Sequence, residues 1–180
     1  MRKNSNRLAM PESPSTEDFE GLFTRHYPRV YGVLYRLVGR RDEAEDLALE
    51  AFVRLWRREE GDETKMDGWL YRVASNLGYN ALRASRRRET YELQAGIQAL
   101  GDDAEADPPA VYERREQILR VRRTLGRMGP RQAKLLVLRH SGLSYKEVAG
   151  ALGLAPGSIG TLLARAEAEF ETLFLSEGQP

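Results

Sequence analysis

Apolar side chains recur every three or four positions along most of the chain, and this spacing predicts helices. The first helix is predicted over 19–37 and closes at Gly39. Pro28 is expected to bend or split it, because proline cannot donate to the preceding turn. Asp42 and Asp67 are expected to cap a second and a third helix.

A second helical unit is predicted between 112 and 176. It contains the run LSYKEVAGALGLAPGSIG, in which two helical segments flank a glycine-containing turn. That pattern is typical of a helix-turn-helix. Ser144 is expected to cap its first helix, and Ser158 or Gly157 its second. The segment 158–170 is the expected recognition helix.

Residues 91–111 separate the two units and differ from both in charge. From Glu89 through Glu113, both included, there are seven acids and no Lys or Arg. This composition, with its prolines, predicts a flexible acidic linker. Since no strand-like alternation or repeat is evident, the predicted fold class is all-α. It comprises two small helical domains, 16–90 and 112–176, the second bearing the helix-turn-helix.

Composition narrows the class of protein. The formal net charge is only +1, so the chain as a whole is not a general nucleic-acid binder. It has no cysteine, which excludes disulfides and thiol nucleophiles. No run of 18 apolar residues and no secretory signal are evident, so we expect a cytoplasmic protein without a membrane span.

The second predicted helix carries a dense acidic face. Its carboxylates fall mostly on one side at helical spacing: Asp42, Glu43, Glu45, Asp46 and Glu50. A solvated face and a favourable helix N-terminus explain Asp42 and Glu45 without any partner. The other interpretation is a docking surface for a basic partner, and the residues alone leave both open.

The third predicted helix interleaves aromatic, amide and arginine side chains. This mixture suits single-stranded DNA, because bases stack on rings for roughly 1–3 kcal/mol each and guanidinium groups follow phosphates. The candidates are Trp69, Arg72, Asn76, Asn80, Arg83, Arg86, Arg87 and Arg88. If the last four each met one phosphate, the salt slope on a single strand would be about −2.8. Alternatively, Trp69 belongs to the core and the arginines decorate a helix C-terminus.

The expected recognition helix holds few side chains of the kind that read bases. Arg165 is the only basic residue between Ala155 and Leu175, whereas base reading prefers Arg, Lys, Asn or Gln. The candidates are Lys146, Ser158, Thr161 and Arg165, with Arg139 and His140 as further phosphate contacts. A helix-turn-helix that packs against protein and never touches DNA is the alternative.

No catalytic set and no metal site are expected. His26 and His140 lie in different units, each as a partly exposed helix residue, and no glycine-rich phosphate loop follows a strand. The carboxylates at 42–50 have no histidine or ligand cluster near them. We therefore expect no enzyme, no cofactor and no small-molecule substrate.

The chain resembles the extracytoplasmic-function group of bacterial sigma factors, which are promoter-specificity subunits of RNA polymerase. The resemblance covers roughly 16–173 and rests on two motifs in order, AEDLALEAFVRLW…WLYRVASNLGYNALRASRRR and LSYKEVAGALGLAPGSIGTLLARAE. It implies a domain that docks on core polymerase and opens the minus-ten element, then a linker, then a domain that reads the minus-thirty-five element. It also implies three partners: core RNA polymerase, promoter DNA and an anti-sigma factor.

The resemblance assigns roles to matching positions. Docking on the polymerase would fall to Asp42, Glu45, Asp46 and Glu50. The melted minus-ten element would lie along the third helix, with one flipped base held by the loop 59–67 and phosphates held by Arg86, Arg87 and Arg88. Region 158–165 would read the minus-thirty-five element. Leu49 departs from the Gln of many relatives, and 159–167 lacks two or three of the usual basic residues.

Two other functions stay open from the residues. A sigma-like adaptor would sequester an anti-sigma factor without engaging a promoter; the recognition helix favours it and the arginines at 83–88 oppose it. A free-standing repressor would need a basic recognition helix and a dimer surface, and the sequence shows neither clearly.

Overall fold

A computed structural model describes residues 16–58, 66–94 and 109–176. In this part of the chain the helices are α1 Thr16–Val38, α2 Arg41–Trp56, α3 Met66–Gln94, α4 Pro109–Arg127, α5 Pro130–His140, α6 Tyr145–Leu152 and α7 Ile159–Ser176. No strand occurs among the described residues, and the predicted all-α fold class is confirmed. The centre of the predicted linker, 95–108, and most of the loop 59–67 lie outside the described residues.

The first three helices pack around a shared apolar core. The buried side chains include Val33, Leu34 and Leu37 of α1, Ala48, Phe52 and Leu55 of α2, and Leu70, Tyr71 and Ala74 of α3. Burying one leucine completely stabilises the fold by about 1.5–3 kcal/mol. α1 and α3 cross so closely at Gly78 that a Cβ there would lie 2.7 Å from Cδ1 of Leu37. Only glycine permits this approach without movement of the leucine.

Pro28 neither splits nor ends α1, so that part of the prediction is wrong. The helix runs uninterrupted from Thr16 to Val38 with Pro28 inside it. The proline is exposed, while Val30 and Val33 beyond it are completely buried. Packing of these neighbours therefore outweighs the loss of one backbone hydrogen bond. Gly39 ends the helix as predicted, with a φ of 83° that favours glycine.

The predicted caps of α2 and α3 are also corrected. The N-cap of α2 is Arg40, whose backbone is extended and whose side chain makes no capping bond. Asp42 lies in the first helical turn, where its carboxylate accepts a 2.8 Å hydrogen bond from Arg40. That bond lowers the pKa of Asp42. Asp67 likewise lies in the first turn of α3, which begins at Met66.

The helix-turn-helix forms from α6, a turn and α7. Ser144 caps α6 in a capping box, in which its hydroxyl accepts from the Glu147 amide and the Glu147 carboxylate accepts from the Ser144 amide. Gly153 ends α6 in the left-handed region, with a φ of 67°. Ser158 lies in a 3-10 turn, Pro156–Ser158, and its hydroxyl donates to the Ala155 carbonyl at 2.7 Å. The recognition helix α7 continues to Ser176, beyond the predicted end at 170.

The C-terminal domain, α4 to α7, packs directly on the first three helices. α4, α5 and α6 all contact α3, and their buried residues join the N-terminal ones in one continuous core. The C-terminal share of that core includes Leu135, Leu138, Leu143, Val148, Ile159 and Leu163. The sequence left the relative position of the two domains open. In this structure they are closed against each other.

No single described helix is both long and apolar enough to cross a membrane. One bent pair, Tyr145–Leu152 with Pro156–Ser176, satisfies that test by length and composition only.

Candidate nucleic-acid interface

Six of the predicted minus-ten residues form one stripe along α3. They follow one another at intervals of three or four positions, and such positions share a helix face. The stripe consists of Trp69, Arg72, Asn76, Asn80, Arg83 and Arg87. Arg86 lies beside it, and Arg88 points away by helical geometry. α3 therefore brings most of the predicted set together, although its two ends have different surroundings.

The N-terminal end of the stripe is bonded to the C-terminal domain, although Arg72 and Asn76 themselves stay exposed. Arg72 donates from Nε to the Ala151 carbonyl at 2.8 Å and from Nη2 to the Gly150 carbonyl at 3.1 Å. The Asn76 side-chain oxygen accepts a 2.7 Å hydrogen bond from Lys134 of α5. Burial, with the nearby charge of Arg72, lowers the pKa of Lys134. Both predicted DNA contacts are thus engaged with protein here.

The C-terminal end of the stripe is open. Asn80, Arg83 and Arg87 are exposed, and a cavity of about 360 Å³ lies beside the two arginines. Its other lining residues are Arg86, Thr90, Tyr91 and Gly126. Arg86 also donates to the Gly126 carbonyl at 2.9 Å. The cavity combines three cations with an accessible aromatic ring, a mixture that suits a nucleotide of an unpaired strand.

Tyr91 is a residue that our sequence analysis missed. Its side chain is 69% exposed, the largest exposure among the large hydrophobic side chains of the described residues. The sequence did carry a signal, because Tyr91 lies one helical turn beyond the arginine tract 86–88. It was assigned instead to the linker, whose predicted start at 91 falls inside α3.

Trp69 has a mixed environment at the start of the stripe. It is half-buried and packs against the core, as the alternative interpretation of Trp69 as a core residue predicted. The guanidinium of Arg58, from the end of the described segment before α3, lies 5.2 Å from the centre of its ring. This contact is a cation–π arrangement.

The predicted acidic face of α2 is exposed at three of its five carboxylates. Asp42, Glu45 and Asp46 are exposed, and Glu43 and Glu50 are half-buried. Arg40 pairs with Asp42, and Arg54 pairs with Glu50 one turn along the helix. Such exposed pairs add little to stability. The inward-facing residues Ala44, Ala48, Ala51, Phe52 and Leu55 are buried, so the carboxylates face away from the core.

An apolar patch continues the acidic face toward the C-terminus of α2. Leu49, Val53 and Trp56 are 49%, 44% and 40% exposed, and their spacing places them below Asp42 and Asp46 on the same helix face. In the sequence, Leu49 stood out only as a departure from the Gln of many relatives. Apolar side chains that stay exposed together mark a contact surface. The outer face of α2 therefore combines negative charge with exposed apolar area.

The predicted minus-thirty-five residues lie on the open side of the helix-turn-helix. Lys146, Thr161 and Arg165 are exposed and Ser158 is half-buried. Arg139 is committed to the fold, because it donates to the Leu143 carbonyl at 3.2 Å and stacks over Tyr145. His140 is exposed. The structure therefore leaves one arginine on the accessible face of α7.

A buried histidine lies beneath the start of α3. His26 of α1 is only 5% exposed, which corrects the expectation of a partly exposed residue. Its Nδ1 lies 3.3 Å from the Tyr71 hydroxyl, and its Nε2 lies 3.0 Å from a carboxylate oxygen of Asp67. Burial lowers the pKa of His26, and the charge of Asp67 only partly opposes this. At neutral pH the imidazole is therefore uncharged.

Among the described residues, no group of three or more His, Cys, Asp or Glu side chains is placed to hold a metal ion.

Two family models match the chain in the same order as the two domains. Sigma-70 region 2 matches residues 22–88, and Sigma-70 region 4 matches residues 118–170. The first span includes α2 and the stripe on α3 as far as Arg88. The second includes the whole helix-turn-helix as far as Phe170.

Two solved structures are similar in fold. CnrH, in complex with the cytosolic domain of CnrY, has a TM-score of 0.56 and 21% identity, and the match covers 93% of both chains. The sigma factor RpoE in complex with the anti-sigma factor NepR, from Bartonella quintana, has a TM-score of 0.51 and 22% identity over 91% of this chain and 100% of that chain.

Proteins that are similar in sequence are RNA polymerase sigma factors. SigG of Mycobacterium tuberculosis, an ECF RNA polymerase sigma factor, is 29% identical over 96% of this chain. The match spans only 52% of SigG, so the chain covers about half the length of that relative. CarQ of Myxococcus xanthus, an RNA polymerase sigma factor, is 32% identical over 78% of this chain and 79% of its own length. The chain therefore belongs to the extracytoplasmic-function family of RNA polymerase sigma factors.

Proposed function

We propose that this protein is a transcription initiation factor that binds core RNA polymerase and directs it to specific promoters. The observation that supports this best is the pair of surfaces on the N-terminal domain. One is the acidic and apolar outer face of α2, and the other is the stripe of aromatic, amide and arginine side chains on α3. A protein that only bound DNA would need the second surface and not the first.

The outer face of α2 is the proposed polymerase contact. Glu45 and Asp46 supply the charge that steers a basic partner, while Leu49, Val53 and Trp56 supply apolar area to be buried on docking. Asp42 and Glu50 lie on the same helix, and each is paired with an arginine of this chain. In the complex with the polymerase, each carboxylate would release that arginine or bind it together with a basic group of the polymerase. We assign the docking role to all four carboxylates.

The α3 stripe is the proposed site for the unpaired minus-ten strand. Trp69 and Tyr91 offer rings at its two ends, Asn76 and Asn80 offer amides that bond base edges, and the arginines hold phosphates. Extruding one base costs a few kcal/mol, which contacts along the stripe must offset. Lys146, Ser158, Thr161 and Arg165 are the proposed contacts to the minus-thirty-five duplex.

An anti-sigma factor is the third proposed partner. Both similar structures are complexes, one of them with a protein named as an anti-sigma factor. In this chain an apolar groove of about 640 Å³ lies between α1, α4, α5 and α7. The exposed Ile118 and Val121 belong to it, with Leu125, Leu136 and Phe170. It offers such a partner apolar area outside the α2 and α3 surfaces.

Run-off transcription with purified core polymerase tests the function. Wild-type protein is expected to support promoter-dependent transcripts, and Asp46→Arg is expected to weaken core binding about tenfold, because it places a cation against a basic surface. Glu20→Arg makes the same charge change at an exposed position of α1 and is the matched control. Core binding without any promoter-dependent transcript would favour the adaptor function instead.

The same assay tests the anti-sigma partner. The partner would be a protein that co-purifies with the chain and suppresses the transcript when it is added back. Its affinity for Val121→Glu is expected to be lower than for wild type, because a carboxylate enters the apolar groove. Val121→Glu is expected to transcribe normally without that protein. A suppressor that binds wild type and Val121→Glu equally would place the contact elsewhere.

A further inference from the structure

A cavity of about 780 Å³ lies between the end of α1, the start of α2, the second half of α3 and α4. Its volume is typical of cavities that bind small molecules. Among the described residues, six arginines and two glutamates line it. Excess positive charge on a concave surface attracts anions. The cavity therefore favours a negatively charged ligand.

Part of the cavity wall is apolar. Ile118 and Leu119 of α4 are 42% and 45% exposed. They line the cavity together with Val38 of α1 and Leu82 of α3. An apolar ligand group that covered these side chains would remove their surface from water, which is favourable. Charge alone therefore does not describe the ligand, which also needs an apolar part.

Arg122 of α4 brings a half-buried positive charge to this cavity. Its guanidinium donates from Nε to the Arg36 carbonyl and from Nη2 to the Tyr35 carbonyl, both at 3.2 Å. The group also lies over Gly39, where a Cβ would collide with it. Among the described residues no carboxylate pairs with Arg122, and burial lowers its pKa. A charge in such surroundings is stabilised by an anion.

Arg114 supplies a second cation from the same helix. It is exposed and forms no hydrogen bond or ion pair with the part of the chain that the structure describes. Arg114, Ile118 and Arg122 follow one another at intervals of four positions, and such positions share a helix face. α4 thus presents an apolar side chain between two cations.

The lining argues against two other ligands. A nucleotide would stack its base on an aromatic ring, and Tyr35 is the one ring among the described lining residues. Tyr31 already stacks on it, with ring centres 5.8 Å apart, and the Arg122 guanidinium lies 5.9 Å from its centre. A partner helix about 10 Å across occupies roughly 120 Å³ per residue, so fewer than two turns of such a helix would fit the cavity.

We propose that this cavity binds one amphipathic anion, a carboxylate or phosphate that carries a single alkyl chain. Arg114 and Arg122 hold the head group, whose oxygens accept hydrogen bonds from the guanidinium N–H groups. The alkyl chain lies against Ile118 and Leu119. A neutral lipid would leave both cations without an anion, and a free inorganic anion would leave the apolar wall in water. Binding of this ligand requires neither polymerase nor DNA.

Calorimetric titration of the full-length chain tests the site, with each probe kept below the concentration at which it forms micelles. Dodecyl phosphate and dodecanoate carry the alkyl chain on the two alternative head groups, and the tighter of them identifies the head group. Dodecyltrimethylammonium carries the same chain on a cation, and inorganic phosphate supplies the head group alone. One molecule of dodecyl phosphate or dodecanoate is expected to bind per chain, and the two other probes are expected to bind at least about tenfold more weakly.

Two variants change different parts of the site. Leu119→Glu places a carboxylate on the apolar wall, and Arg114→Glu replaces a head-group contact. Both positions are exposed, so the fold is expected to persist. Each variant is expected to weaken binding of the anionic amphiphiles about tenfold. Leu175→Glu and Arg131→Glu make the same changes at exposed positions of α7 and α5 and are the matched controls.

Four results would overturn the assignment. The first is a failure of both dodecyl phosphate and dodecanoate to bind. The second is uptake of many molecules per chain, or equal binding of anionic and cationic probes, which would show an adventitious additive only. The third is equally tight binding of inorganic phosphate, which would identify a simple anion site. The fourth is equal affinity of wild type, Leu119→Glu and Arg114→Glu, which would place the ligand elsewhere on the chain.

Discussion

The two helices proposed to meet DNA differ in charge and in surroundings. α3 carries four arginines from Arg83 to Arg88, and over its first turns Arg72 and Asn76 are bonded to the C-terminal domain. α7 carries one arginine, Arg165, which is exposed, as is Thr161. The helix with more charge is thus partly engaged with protein, and the helix without such bonds has little charge.

Because of this difference, the two helices are expected to contribute unequally to the affinity for nucleic acid. Contacts to phosphates supply most of the affinity of proteins for nucleic acid, and they scale with the number of cations. Under the proposed function, α3 supplies the attraction to a single strand, whereas Thr161 and Arg165 of α7, with Ser158 in the preceding turn, are expected to bind a duplex only weakly. Promoter binding by this chain then depends on the polymerase to present both helices together.

Reversing charge at the open end of α3 has the largest expected effect. The double variant Arg83→Glu with Arg87→Glu replaces two cations beside the 360 Å³ cavity by carboxylates. Single-strand affinity is expected to fall about 100-fold, and the salt slope to decrease by about 1.4, because two phosphate contacts are lost. Titration of a labelled oligonucleotide at several salt concentrations measures both.

Arg115→Glu with Arg123→Glu, at exposed positions of α4, is the matched control for that variant. It makes the same change in net charge away from the stripe. If it weakens single-strand binding as much as the α3 variant does, affinity follows total charge, and the contrast between the helices disappears.

Replacing Tyr91 has the next largest expected effect. Tyr91→Ala is expected to cost about 1–3 kcal/mol of single-strand binding, the usual contribution of one stacked base. Tyr91→Phe keeps the ring and is expected to bind like wild type. Tyr145→Ala removes a ring that is 47% exposed on α6 and is expected to leave single-strand affinity unchanged. Equal affinities for Tyr91→Ala and Tyr91→Phe would show that no base stacks there.

The sequence predicted much of what depends on local periodicity. The helical class, the end of α1 at Gly39 and the N-cap at Ser144 all follow from residues close to each other in the chain. The uninterrupted course of α1 does not follow from nearby residues, because burial of Val30 and Val33 by other helices holds Pro28 in place. Tertiary packing overrides local preference in such cases.

Domain closure lay beyond the sequence for a different reason. Arg72 bonds carbonyl groups that lie 78 and 79 residues away, and every residue has a carbonyl, so no pattern of side chains marks the acceptor. The close approach of α3 to α6 at Gly68 shares this property, because a Cβ there would lie 3.0 Å from the Gly150 carbonyl carbon and what the approach requires is the absence of a side chain. For the site, spacing indicated the α3 stripe, but only the structure shows that Arg72 and Asn76 are bonded to the C-terminal domain while Arg83 and Arg87 line a cavity.

Adding a cation to α7 tests the comparison between α3 and α7 on the helix with less charge. Thr161→Arg places a second arginine on the exposed, N-terminal part of this helix. Duplex affinity at low salt is expected to rise severalfold, and the salt slope to steepen by about 0.9, because one further phosphate is neutralised. Thr172→Arg, at an exposed position near the other end of α7, is the control. Equal gains from both would mean that α7 is not oriented toward the duplex.

The smallest expected effect concerns stability at the start of α3, beneath which His26 of α1 is buried. Burial holds its pKa below the ordinary value of 6.5. Well above pH 6.5 the imidazole is neutral in the folded and the unfolded chain, and it does not change the free energy of unfolding with pH. As the pH falls through 6.5, the unfolded chain takes up a proton that the folded chain resists, so the free energy of unfolding falls until the pH passes the lowered pKa. The charged or titratable groups around the ring are Arg25, Arg29, Asp67, Tyr71 and Glu147.

Denaturant unfolding measured between about pH 7.5 and about pH 5.5 isolates this histidine, because most carboxylates titrate lower. Wild type is expected to lose stability over this range, and His26→Gln is expected to give a flatter curve, since glutamine does not titrate. His140→Gln, at an exposed position of α5, is expected to follow wild type. If His26→Gln lost stability with the same slope as wild type, the acid sensitivity would arise away from α3, and the buried imidazole would have no part in it.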